Sequence, residues 1–176
     1  MLAPALPPLT EWESFYVITG TGAATLTGLM FVVVTLTLEA RGATGAGGVS
    51  AFGTPTVVHF CAVLLVSAIL TAPGHSIRSL GLCLGASGLA GLAYEGIVMV
   101  RMRRQKDYTP VTSDLVWHAL LPTLAYACLL GAAVVIWSRP VPALYAVAAV
   151  SVFLLYIGIH NAWDAATWAA VDRPSS

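Results

Sequence analysis

Six side chains in this 176-residue sequence have both the chemistry and the setting to bind a proton or a metal: His59, Glu95, Asp114, His118, His160 and Asp164. They are conspicuous because only 9% of the residues are charged. Histidine changes charge near neutral pH, and an imidazole beside a carboxylate can hold a proton, an ion or a small polar ligand. In "GIHNAWDAATW" (158–168) His160 and Asp164 stand one helical turn apart, with the amide of Asn161 between them. Residues four apart share a helix face, so Tyr156, His160 and Asp164 form one stripe. Asp114, His118, Pro122 and Tyr126 form a second. Pro122 lacks the amide that would bond to the carbonyl of residue 118, so its helix is expected to offer both the imidazole and a freed backbone oxygen of His118.

Two functions fit these residue types. In one, His59, Glu95 and His118, joined by His160 and Asp164, ligate a divalent metal or a haem, because imidazole and carboxylate suit several transition metals. The sequence has no HExxH, no ExxH and no CxxCH to support that. In the other, the same groups bind and release a proton, an ion or a small ligand in a vestibule. A third account needs no function: boundary side chains snorkel to water, and a His–Asp pair at helical spacing satisfies itself. Glu95 resists the third account best, since a short carboxylate snorkels poorly and costs about 2.5 to 3.5 kcal/mol near the centre of an inserted helix, less towards its end. It is expected to find an interhelical partner in His59 or His118.

The elements that must place these groups are set by composition. Hydrophobic residues make up 58% of the chain, mean hydropathy is +0.85, and eight basic residues balance eight acidic ones. That much apolar surface in so small a chain has lipid as its solvent. Five apolar runs, at about 15–38, 55–72, 79–100, 115–137 and 141–165, are each long enough at 1.5 Å per residue to cross roughly 30 Å of hydrocarbon. The sequence therefore predicts an all-α, polytopic integral membrane protein: a single domain over 1–176 in which five transmembrane helices form one bundle. The start, "MLAPALPPLTEWESFY", has no basic n-region and leads into a run too long for a signal core, so the first helix is expected to be retained.

Basic residues orient the bundle. Arg78 and Arg139 fall on one side, whereas Arg41, Arg101, Arg103, Arg104, Lys106 and Arg173 fall on the other. The positive-inside rule puts the N-terminus outside and the C-terminus in the cytoplasm, with Trp12 and Trp137 near the outer boundary and Trp117, Trp163 and Trp168 near the inner one. The short outer loops "PGHSIR" and "SRPVP" make helices two and three, and four and five, antiparallel neighbours. The cytoplasmic loops 39–54 and 101–114 are longer and more polar, and a protein partner would find its easiest contact there. The "GATGAGG" stretch has neither a preceding strand nor a following GK[ST], and reads as linker. Zero net charge argues against nucleic acid as a partner. The three cysteines, Cys61, Cys83 and Cys128, form no CxxC pair and read as packing residues.

Small residues mark where helices approach. Gly20, Ala24 and Gly28 recur every four residues, Gly81 and Gly85 begin a similar face, and Ser87, Gly91 and Glu95 form another. These faces suit packing within the bundle, and the chain is expected to self-associate through them as a homo-oligomer. Thr54-Pro55 supplies a helix start and Pro73-Gly74 a stop.

Placed on this topology, the ionisable groups fall in one layer. His59 lies about 6 Å inside the second helix and Glu95 roughly 9 Å from the end of the third. Asp114 and His118 open the fourth helix, and His160 and Asp164 end the fifth. The outer half holds little beyond Thr21, Thr25, Ser67 and Thr71. A faint echo accompanies the layer: "PTVVHF" and "SDLVWHA" each start a helix with a histidine about a turn in, and each following helix carries an acid near its far end.

At "TPTVVHF" (54–60) and "GIHNAWD" (158–164), with "TGLMFVVVTL" ahead of them, the chain resembles a group of small bacterial inner-membrane proteins to which no activity is assigned. The resemblance implies a multi-pass protein of the bacterial inner membrane and transfers no catalytic role. The position of His160 is often arginine in that group, which implies hydrogen bonding or ion pairing with Asp164 rather than metal ligation. The function expected from the sequence is thus non-enzymatic, without a cofactor: a channel-like, transporter-like or sensor module with a cytoplasmic-side His/carboxylate cluster. A membrane-embedded metal or haem enzyme, and a structural or regulatory subunit of a larger assembly, are the alternatives.

Overall fold

The computed structural model describes residues 9–41, 54–104 and 112–171. Most of the two cytoplasmic loops expected from the sequence lies outside the described residues, as does the side chain of Asp114. Among the described residues the chain is helical throughout, with five helices long and apolar enough to cross a membrane. A 3-10 turn, Leu9–Trp12, leads into α1, Glu13–Arg41. Next come α2, Thr54–Thr71, and α3, Ile77–Arg104. The fourth helix, α4, starts as Thr112–Leu115, passes through a π-helical turn at Val116–Leu120, and continues as Leu121–Val135. Finally, α5 runs over Pro140–Val171. The expected spans match these bounds within a few residues, except that α5 continues through "AATWAAV" to Val171.

Helices pair backbone groups within one segment, which is what hydrocarbon demands. The few hydroxyls follow the same rule by donating to a carbonyl one turn back: Thr25 to Thr21 and Thr35 to Phe31 at 2.9 Å, and Ser151 to Val147 at 2.9 Å. Between α2 and α3, Gly74 takes a φ of 81°, a left-handed conformation that suits glycine. A reciprocal cap then opens α3: the Ser79 amide donates to Ser76 Oγ at 3.1 Å, and the Ser76 amide to Ser79 Oγ at 2.9 Å.

In the bundle α1 lies along α2, α3 along α4, and α4 along α5, while α2 also packs on α5 and α3. The core is continuous, with Tyr16, Leu70, Leu84, Leu129, Leu144 and Leu154 buried in it. Aliphatic and aromatic side chains such as Ile18, Phe31, Leu82 and Trp163 cover the outer surface. At the end that holds the α1 N-terminus, Trp12 meets Tyr145 edge-on at 4.8 Å, and Thr19 and Ser67 hydroxyls pair at 3.3 Å.

The small-residue faces are partly rearranged. Gly20 packs tightly on Ser67, but Ala24 is exposed, and among the described residues no other helix comes within 4 Å of a Cβ placed on Gly28. In α3 the buried stripe is Gly81, Leu84, Gly88, Gly91, Glu95 and Val98, one face instead of two. Gly81 meets Trp137 and Ile136, and Gly88 meets the backbone of Leu130. Gly85 sits beside this line, half-buried near Ala133.

Candidate functional site

Antiparallel packing brings the first turns of α2 and α4 to the level of the last turns of α3 and α5. His59, on the buried stripe of α2 with Pro55, Thr56, Phe60 and Val63, is 0% exposed. Glu95, on the buried stripe of α3, is 1% exposed. The two side chains face each other, His59 Nε2 standing 3.9 Å from Glu95 Oε1. At that distance the two do not hydrogen-bond. Neither Nε2 nor either Glu95 oxygen has a hydrogen-bond partner among the described residues.

The other imidazole nitrogen is held. His59 Nδ1 lies 3.0 Å from the hydroxyl of Tyr126 on α4. With that hydroxyl donating to Nδ1, a neutral imidazole carries its proton on Nε2, aimed at Glu95. A hydroxyl that accepts from Nδ1 places the proton there instead. Tyr126 can reach this position because α3 offers it a glycine: a Cβ on Gly91 would fall inside the Tyr126 ring. Gly158 on α5 does the same for Phe60, the neighbour of His59. Two glycines on two helices therefore seat the rings around the imidazole.

His118 is also buried and near enough to His59 for the two rings to interact electrostatically. Ahead of Pro122 its helix passes through a π-helical turn. Proline in an α-helix clashes with the carbonyl four residues back, that of His118. The π-helical turn relieves this: the Leu121 amide donates to Val116, five residues back. In that register Pro122 would have served the carbonyl of Trp117, and its missing N–H leaves that oxygen to another donor. Asn161 on α5 supplies one, its Nδ2 donating to Trp117 O at 3.4 Å. The carbonyl engaged from outside the helix is thus Trp117's, one residue before the expected one. Asn161 itself is 1% exposed.

The pair that sequence spacing makes most visible is different. His160 Nδ1 approaches Asp164 Oδ2 at 3.3 Å, with side chains 30% and 53% exposed. The His160 ring stacks on Trp117, centroids 3.7 Å apart and planes within 6°. Tyr156 also borders Trp117, at 5.8 Å. One face of α5 therefore grips Trp117 by its ring and by its carbonyl.

The expected convergence is therefore partial. His59 and Glu95 meet, His118 lies nearby, and Asn161 reaches α4 by way of the Trp117 backbone. His160 and Asp164 form a separate, half-exposed pair. Among the described residues no three His, Cys, Asp or Glu side chains are grouped as metal ligands would be, so the set His59, Glu95 and His118 does not fit a metal centre. Cys61 and Cys128 are exposed and Cys83 is half-buried, each with a free thiol. Tyr126, Gly91 and Trp117 carry parts of the site that residue type did not single out. The signal for Tyr126 lay in its sharing a stripe with His118. Compared with protein-family models, curated proteins and solved structures, the chain matches none.

Proposed function

We propose that the chain is a non-enzymatic, multi-pass membrane protein of the bacterial inner membrane in which the His59–Glu95 pair binds and releases a proton, as an element of a channel, transporter or sensor. One observation carries this: an acid and a base on different helices, both fully buried, face each other at 3.9 Å with no hydrogen bond between them. Unsatisfied buried polar groups cost about 1–3 kcal/mol each, more when charged. A proton shared by the two, with a closure of about 1 Å into hydrogen-bond range, removes that cost. Both side chains are buried, which suits a proton better than an organic substrate, and among the described residues no third ligand joins them to hold a metal ion. The excess of Arg and Lys at this end of the bundle supports the cytoplasmic side as the source of the proton. The uncovered Ala24 and Gly28 on α1 are consistent with self-association, which would add no group to the site.

The test is the infrared difference spectrum of the protein in liposomes between acidic and alkaline pH. A protonated-carboxyl band that disappears in Glu95→Gln is expected. A spectrum unchanged by Glu95→Gln overturns the proposal.

A further inference from the structure

The π-helical turn of α4 has two ways to pair its backbone, and only one needs Asn161. In the observed register the Leu121 amide serves Val116, and the Trp117 carbonyl takes its hydrogen bond from Asn161 at 3.4 Å. In an α register the Leu121 amide would serve Trp117 itself, four residues back. Asn161 would then have no role at that oxygen, and the Pro122 ring would press on the carbonyl of His118. The two registers are thus balanced by two features on different helices: proline penalises the α form, and the α5 amide stabilises the π form. A π turn holds one residue more than an α turn, so exchanging them rotates the segment ahead of the turn by about 100°, one residue's share of a helical revolution. His118 and Trp117 both lie in the turn.

We propose that Asn161 is a latch that holds α4 in its π register and thereby fixes which way the buried His118 of that turn faces. Release of the latch converts the turn to the α register and changes that facing. Several features of the geometry serve this role. Asn161 is buried, and it reaches across to the one carbonyl that the proline leaves without an intrahelical donor. The same α5 face holds the Trp117 ring, through His160 at 3.7 Å and Tyr156 at 5.8 Å, so a movement of α5 acts on the ring and the carbonyl together. Asn161 is accordingly a positioning residue. It touches neither His59 nor Glu95 and acts through the backbone of the turn that bears His118. The link to proton binding rests on the function proposed above, whereas the register exchange stands on the backbone alone.

The experiment compares the full-length wild type with Asn161→Leu, Pro122→Ala and the double variant in liposomes. Solid-state NMR reads the dipolar contact between the Leu121 amide and the Val116 carbonyl carbon, which the α register would exchange for Trp117, and the pH titration of the Glu95 carboxyl is followed in the same samples. Asn161→Leu removes the donor and Pro122→Ala removes the penalty on the α form, so both are expected to weaken the contact. The double variant should go no further than either single one, because both release the same turn. The midpoint of the Glu95 titration should move by about one pH unit, a tenfold change in proton affinity. A Leu121–Val116 contact unchanged in Asn161→Leu overturns the latch, and so does a double variant whose effect is the sum of the two. Should Glu95 fail to titrate in any form, the proton reading falls, and the NMR contact still decides the register exchange. Pro122→Ala keeps the test decisive if Asn161→Leu fails to fold.

Discussion

Two histidine–carboxylate pairs lie near the same end of this bundle, and they have opposite characters. His160 and Asp164 are neighbours on one helix, 3.3 Å apart and 30% and 53% exposed. His59 and Glu95 come from different helices, are 3.9 Å apart, and are 0% and 1% exposed. The first pair trades its charges with the boundary at little cost. The second has no such outlet, and Tyr126 and two glycines are arranged around it. Proximity in sequence marks the pair whose loss matters least to stability, because helical spacing alone brings its members together. The buried pair depends on three helices holding their relative depth.

The largest break in this contrast should come from Gly91. Replacing it with valine puts a side chain where the Tyr126 ring lies. Overpacking of this kind costs about 1–3 kcal/mol, and the displaced phenol also loses His59. Thermal unfolding in detergent should show a marked loss of stability, with the His59 ring resonance shifted. A smaller effect is expected from Tyr126→Phe, which keeps the ring and removes the 3.0 Å hydrogen bond to Nδ1. It leaves a buried nitrogen unsatisfied, at about 1–3 kcal/mol, and frees the imidazole to change tautomer, which 15N NMR of His59 would report. Least of all is expected from Asp164→Ala. An exposed pair contributes about 0–1 kcal/mol, so unfolding should move little and His59 not at all. A loss in Asp164→Ala as large as that in Gly91→Val would erase the distinction between the two pairs.

How far the sequence could be read follows from which physics is local. The five spans were legible because run length and hydropathy act residue by residue, and the bounds of α1 to α5 follow them closely. The meeting of Glu95 with His59 was legible from depth, since counting residues from a helix end gives a height in the bundle. Which face each helix turns inward was less so. Gly81 and Gly91 lie on one stripe because α3 packs mainly on α4, a fact of tertiary arrangement that weak periodicity in lipid-facing helices does not encode. Ala24 and Gly28 show the same limit from the other side, as small residues left exposed among the described residues. Pro122 announced a disturbance, but its form depended on Asn161, 39 positions away along the chain. A π turn with an outside donor and a kink with a freed His118 carbonyl look alike until α5 is in place.

The central claim, that the buried pair and not the exposed one binds the proton, is tested most directly by counting protons. Purified protein in liposomes made permeable to ions is taken through a rapid pH jump across neutrality, and the protons released per chain are measured for the wild type, Glu95→Gln and Asp164→Asn. The account predicts about one proton fewer from Glu95→Gln than from the wild type, with release from Asp164→Asn unchanged. Equal release from the wild type and Glu95→Gln, or a loss confined to Asp164→Asn, would contradict it.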